Sequence, residues 1–187
     1  MQPEELIDFL RLIGQLKSNT RHIWNKAGRQ ESVADHCWRL SVMALLVSGE
    51  FPDVDISKVV KMCLIHDFGE ALTGDIPSFN KTKQDEDNEN SAIADLLKKL
   101  PEKNSVEFTA LFTEMAELST EEAKLFKALD KLEAIISHNE SPLDTWLELE
   151  KTENLIYGDE NVTFSAYLTK LREELRNDSI RKIGEGI

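Results

Sequence analysis

Met62-Cys63-Leu64-Ile65-His66-Asp67-Phe68-Gly69-Glu70-Ala71 sets a histidine, an aspartate and a glutamate directly behind an apolar run. Read as one continuous helix, the stretch puts His66 and Glu70 one turn apart on one face, with Asp67 beside His66 around the axis. Desolvating a charge is costly, so ionisable groups on a buried helix need protein partners, a metal or a cleft.

The flanking sequence repeats the helical apolar spacing on both sides. Upstream, Asp55 or Ser57 can cap the helix that carries Ile56, Val59, Val60, Cys63 and Leu64, and Phe51-Pro52-Asp53 is a turn. Before that turn, Val33, His36, Cys37, Leu40, Ala44 and Val47 follow a Ser32/Asp35 pair with capping-box spacing, and Gly49 stops the run. His36 thus falls on an inward stripe. Ser18 to Gln30 has no periodicity and reads as a loop enriched in Arg21, Lys26 and Arg29, with His22 and Trp24 among them. The chain begins with a helix over Pro3–Lys17, its stripe made of Leu6, Phe9, Leu10, Ile13 and Leu16.

Downstream, Thr73-Gly74-Asp75-Ile76-Pro77 is a turn that returns Asp75 toward the helix end, and Asn80 to Asn90 reads as a solvated surface loop. Further helices cover Ser91–Leu100 and Val106–Leu118. A capping box of Ser119 with Glu122 opens the strongest helix of the second half, through Leu125, Leu129, Leu132, Ile135 and Ile136, with Asp130 on the edge of its stripe. Pro142 begins another helical segment, Leu155 to Val162 connects, and a last helix holds Phe164, Tyr167, Leu168 and Leu171 before a frayed tail beyond Asn177. No segment alternates as a strand. The pattern predicts an all-α, single-domain bundle of about seven to nine helices spanning residues 1–187.

Composition excludes several roles. The 187 residues carry a formal charge of −13, from 35 acidic and 22 basic side chains, which disfavours nucleic-acid polymers and anionic membranes as partners. No apolar run approaches the ~20 residues of a membrane span, and no secretory leader opens the chain. Cys37 and Cys63, each within an apolar run, are expected as buried free thiols of a cytoplasmic protein.

His36, His66, Asp67 and Asp130 stand out as two imidazoles and two carboxylates on or beside apolar faces of three helices. Such a set can hold a divalent metal and leave room for water. Taken singly, each has a plainer reading. His36 can be a satisfied core histidine, Asp67 and Asp130 can pair with Lys61, Lys127 or Lys131, and Glu70 can be a surface residue. A non-catalytic helical interaction protein therefore remains the alternative of another class.

The same residues resemble the signature of the HD-domain superfamily of metal-dependent phosphohydrolases. Glu31-Ser32-Val33-Ala34-Asp35-His36-Cys37-Trp38-Arg39 and His66-Asp67-Phe68-Gly69-Glu70-Ala71-Leu72-Thr73-Gly74-Asp75-Ile76-Pro77 resemble its bacterial 5'-deoxynucleotidase-like branch, over about residues 5–175. The resemblance implies an HD-type bundle with one divalent ion (Co, Mn, Fe, Mg, Zn or Ni) on His36, His66, Asp67 and Asp130. It also implies Glu70 and Asp75 as catalytic groups, and Arg21, Trp24 and Asp75 as substrate contacts, with His22 a rival for the place of Trp24. The activity implied is hydrolysis of (deoxy)nucleoside 5'-monophosphates by a cytoplasmic homodimer. The alternative substrate is another small nucleotide: a triphosphate, or a cyclic or bis-phosphorylated one.

Overall fold

The computed structural model describes residues 1–186. Its elements run α1 (Pro3–Ile13), β1 (Thr20–Trp24), β2 (Gln30–Ser32), α2 (Val33–Leu46), α3 (Ile56–Ile65), α4 (Glu70–Thr73), α5 (Lys83–Leu97), α6 (Glu102–Glu117), α7 (Glu121–Glu140), α8 (Glu150–Glu153) and α9 (Ala166–Glu185). The fold is an all-α bundle of nine helices among the described residues, two of them a single turn long, with one small hairpin. No helix among these residues is long and apolar enough to cross a membrane.

α7 is the axis of the bundle: α2, α3, α6 and α9 all pack on it. Leu125, Leu129, Leu132 and Ile135 are fully buried there, and Leu40, Val59, Met62 and Cys63 meet them from α2 and α3. Each such aliphatic side chain contributes about 1.5–3 kcal/mol by leaving water. Cys37 and Cys63 are both buried free thiols, and burial pushes the Cys63 thiol up to about 12.

Several elements differ from the sequence expectation. The segment 18–30, expected as a loop, is an antiparallel hairpin in which Thr20 pairs with Ser32 and Trp24 with Gln30. Its turn is closed by Asn25, whose Oδ1 accepts from the backbone N–H groups of Ala27 and Arg29. Five residues and three are too short for alternation to show in composition. The polar run 80–90 is also no loop. Thr82 accepts from the Asp85 N–H and starts α5, so polar residues form a largely solvated first half of one helix. Thr120, and not Ser119, caps α7 by accepting from the Ala123 N–H. The segment after Pro142 is only a 3-10 turn, and the tail expected to fray beyond Asn177 is helical to Glu185, while Ile187 lies outside the described residues. On α1 only Phe9 is buried. Leu6 and Leu10 face solvent.

The opening stretch is interrupted rather than continuous. α3 ends at Ile65, and His66–Gly69 form a tighter turn in which the Phe68 N–H reaches the Ile65 carbonyl and the Glu70 N–H reaches that of Asp67. The i→i+3 bonds of a 3-10 turn advance each residue further around the axis than α geometry does. His66 and Asp67 consequently face α2 and α7, and Glu70 begins a new helix.

Gly69 sets how closely that turn meets α5. A Cβ there would stand 2.7 Å from Glu89 Cγ, 3.0 Å from the Glu89 carbonyl oxygen and 3.0 Å from Ile93 Cγ1. Gly69→Ala is therefore expected to push α5 away and to cost about 1–3 kcal/mol, the usual range for overpacking. Chemical denaturation measures it, and an unchanged midpoint would count against this tight contact.

Candidate active site

Four side chains from separated parts of the chain converge beside α7. His36, one turn into α2, has its Nε2 3.3 Å from Asp130 Oδ1, 3.3 Å from His66 Nε2 and 4.0 Å from Asp67 Oδ2. His66, at the end of α3, has its Nε2 3.1 Å from Asp67 Oδ2 and 3.7 Å from Asp130 Oδ1. His36, His66 and Asp67 each offer a ligand atom within 4.8 Å of the others.

The second nitrogen of each ring decides what the first one does. His66 Nδ1 lies 3.0 Å from the Cys63 carbonyl, which can only accept, so that nitrogen carries hydrogen. His36 Nδ1 donates to Glu133 Oε2. Burial opposes a charge on Glu133, yet His36, Arg21 and Arg39 hold its carboxyl down at about 2. In the neutral rings both Nε2 atoms thus present lone pairs to each other and to two carboxylates.

Four acceptors with no hydrogen among them require positive charge. Protons supply it in part. Burial and Arg21 work against the His36 imidazolium, but Asp130 and Glu133 raise its pKa. Burial likewise opposes the charge on His66, but Asp67 and Cys37 raise it well above its ordinary value. Asp67, despite burial, is held at about 2 by His66, and Lys127 with the two histidines keeps Asp130 well below the carboxylate range. A divalent transition ion satisfies the same donor set, and an imidazole whose other N–H is held by a carboxylate or carbonyl is the usual form of a metal ligand. The residues present fit a metal.

Of the plainer pairings expected for these acids, one is present. Lys127 Nζ is 3.0 Å from Asp130 Oδ2, leaving Oδ1 toward the histidines, while Lys61 pairs with Glu107 and Lys131 donates to the Tyr157 hydroxyl. Glu70 is not on the surface. It is 5% exposed, its Oε2 has no hydrogen-bond partner, and Asn19 Nδ2 donates to its backbone oxygen. Burial, then Asp67, Asp75 and Glu89, raise its carboxyl to about 9. Burial also raises Asp75, against the attraction of Arg21.

These residues line a cavity of about 800 Å³ that includes Arg21, His36, His66, Asp67, Glu70, Asp75 and Asp130. Arg21 is partly engaged, with Nη1 2.9 Å from Glu31 Oε2 and 3.3 Å from Glu133 Oε2. Trp24 lies outside the cavity wall. Its backbone N–H and carbonyl bond to Ser141 Oγ, whereas its strand neighbour His22 lines the cavity.

Sequence reasoning passed over several participants. Glu133 is fully buried on α7 and binds His36, Arg21 and Arg39, while Ser137 Oγ, with one hydrogen to give, lies 2.9 Å from Glu133 Oε1 and 3.0 Å from Glu31 Oε1. Glu133 stands three residues after Asp130, so an inward acid on the same stripe was the available signal. Glu89, from the run expected to be solvated, brings a carboxylate within 4.8 Å of Asp67 and Glu70 and pairs with Lys81.

A family model described as an HD domain matches residues 13–172. The 5'-deoxynucleotidase HDDC2 of Homo sapiens is 37% identical over 139 residues, covering 72% of this chain and 67% of that protein. Among solved structures, a predicted metal-dependent phosphohydrolase of Magnetospirillum magnetotacticum superposes with a TM-score of 0.81 at 26% identity, covering 96% of this chain and 93% of the other. A conserved hypothetical protein of Pyrococcus furiosus gives 0.72 at 32% identity, covering 91% and 99%.

Proposed function

Because the chain belongs to the HD-domain superfamily of metal-dependent phosphohydrolases, on its 5'-deoxynucleotidase-like branch, we propose that it hydrolyses (deoxy)nucleoside 5'-monophosphates to nucleoside and phosphate. The observation that carries this reading is the convergence of two imidazole nitrogens and two carboxylates beside a buried Glu70 in one nucleotide-sized cavity.

In the proposal, His36, His66, Asp67 and Asp130 hold one divalent ion, with Co, Mn, Fe, Mg, Zn and Ni all compatible with this donor set. When bound, the ion supplies Lewis-acid activation of water and of a phosphoryl oxygen. Glu133 and the Cys63 carbonyl fix the two imidazoles in the tautomer that ligates. Glu70 gives its proton to the 5'-oxygen as the P–O bond breaks, the attacking water oxygen bonds to phosphorus, and one of that water's protons returns to Glu70, which ends as it began. Arg21 adds charge against the phosphate, in a fork already oriented by Glu31 and Glu133. Asp75 accepts from a sugar hydroxyl. Trp24 stands outside the cavity, so His22, which lines it, takes the place beside the sugar or base.

Phosphate release across ribo- and deoxyribonucleoside mono-, di- and triphosphates, with several divalent ions, tests the reading. Hydrolysis of monophosphates is expected; activity confined to triphosphates would overturn it. The triphosphate is the second reading because Lys81, Lys127 and Lys131 also line the cavity. A homodimer belongs to the proposal as well, supported by the exposed Leu6, Ile7 and Leu10 on α1, and light scattering checks it.

Glu133→Gln is expected to weaken metal binding roughly 10–100-fold, the usual cost of losing a partner behind a ligand. Arg21 and Arg39 would lose their shared anion, so thermal stability should fall too. Chelator competition measures the affinity, and an unchanged value would remove Glu133 from this role.

A further inference from the structure

The cavity has a second polar cluster that the chemistry above does not use. Glu150 and Asn154, one turn apart on and just after α8, are 2% and 4% exposed, and both line the cavity. Glu150 Oε2 accepts from the Leu147 N–H at 2.7 Å, but its Oε1 has no hydrogen bond, and neither has Asn154 Nδ2. His138 Nε2 stands 3.3 Å from Glu150 Oε1, near enough to help lower its pKa but short of a full hydrogen bond, and His22 Nε2, 3.8 Å away, is out of hydrogen-bond reach. Buried polar atoms are nearly always satisfied, so Glu150 Oε1, which only the two imidazoles approach, and the unpaired Asn154 Nδ2 mark a place on the cavity wall that a ligand can complete.

The cluster is set at a definite distance from the metal-ligand set. Lys127, Asp130, Lys131, Ala134 and His138 form a cavity-facing stripe along α7. Asp130 and His138 are eight residues apart, roughly 12 Å along the helix axis at 1.5 Å per residue. That is the reach of a phosphate–sugar–base unit laid along α7. A metal is a poorer occupant, because the histidines and Glu150 do not bring their ligand atoms together as the His36 set does.

We propose that Glu150 Oε1 and Asn154 Nδ2, flanked by His22 and His138, are the subsite for the hydrogen-bonding edge of the nucleobase. The inference rests on the nucleotide reading above and names the part of the site that selects nucleotides over simple phosphate esters. An acceptor beside a donor complements the edge that every base presents, an N–H next to a carbonyl or ring nitrogen. Glu150 stays ionised: burial opposes this, but His138 and the Leu147 N–H lower its pKa, so Oε1 only accepts. A ligand without a base leaves these groups unpaired, which is the strongest form of rejection available to a binding site.

Glu150→Gln tests the acceptor specifically. The Leu147 N–H retains the amide oxygen, so the new NH2 takes the place of Oε1 and reverses its hydrogen-bonding sense. Calorimetric titration of deoxynucleosides, which carry no phosphate, into the protein treated with chelator reads the subsite without metal or turnover. Binding is expected to weaken at least about 10-fold in Glu150→Gln and in Asn154→Leu, in line with one lost hydrogen bond to a charged or buried group. In kinetics, the preference for a deoxynucleoside monophosphate over 2-deoxyribose 5-phosphate should shrink by a similar factor. Circular dichroism confirms that each variant is folded, and Asn154→Asp is the fallback should the leucine variant not fold. Wild-type affinity for deoxynucleosides in both Glu150→Gln and Asn154→Leu, or an equal loss for the base-free sugar phosphate, overturns the subsite. Failure of wild type to release phosphate while deoxynucleosides still bind through Glu150 would reject the phosphatase reading alone.

Discussion

His66→Ala is expected to abolish phosphate release and to yield protein without bound divalent metal. His66 Nε2 is within 3.7 Å of His36, Asp67 and Asp130, so it contacts every other member of the set. Its removal leaves Asp67 and Asp130 with one imidazole, a donor set short of one of the two nitrogens that favour a transition ion. A metal that stabilises transition-state charge by several kcal/mol accounts for activity on the order of 10³-fold or more. Elemental analysis together with phosphate release measures both losses. Near-stoichiometric metal in a folded but inactive variant would show that the ion sits elsewhere, and metal-free wild type inert with every added ion would reject the site.

Glu70→Gln is expected to lower kcat by about 10²–10⁴-fold, the usual contribution of a general acid or base, while metal content and KM change little. The amide retains the shape of the side chain and loses only the transferable proton. An equal or larger change in KM, or loss of metal, would mean that Glu70 binds rather than transfers a proton. The pKa supplies a second readout, on chelated protein and free of turnover. Burial and the neighbouring acids raise Glu70 from 4.5 to about 9, so the folded state binds its proton more tightly than the unfolded chain. That stability is complete below about pH 4.5 and is lost as pH rises toward 9. Gln carries no such charge. Glu70→Gln should therefore stabilise the protein relative to wild type at pH 8–9, with the gain vanishing near pH 4.5. Denaturation midpoints across this range measure it, and a gain independent of pH would contradict the raised pKa.

Much of the architecture was legible because it rests on local patterns. Apolar spacing located α2, α3, α6 and α7, and the Ser32/Asp35 pair marked the start of α2. The hairpin was not legible, because β1 is held by one partner strand and by Ser141 from the end of α7. α5 was read too short because most of its first half faces water, where no apolar period exists to see. The same mistake concealed Glu89, which is polar in a polar run and differs from its neighbours only in pointing at Asp67 and Glu70.

The sequence by itself determined that two histidines and several acids lie on inward faces of a helical bundle, since apolar periodicity gives facing and residue type gives charge. It thereby marked His36, His66, Asp67 and Asp130 as one group to be explained, to which the family resemblance added Glu70 and Asp75. Only the tertiary structure decided which oxygen or nitrogen meets which. His36 reaches Glu133 across 97 residues, and Arg21 reaches it across 112. Such pairings leave no trace in local periodicity, because a buried Glu on a leucine stripe is the same letter whether it is orphaned or holds a histidine in place. The break after Ile65 was likewise decided in three dimensions. The close approach of Glu89 to Gly69 and the demand that His66 and Asp67 both face α7 are met by a 3-10 turn, not by the straight helix that the apolar run implies.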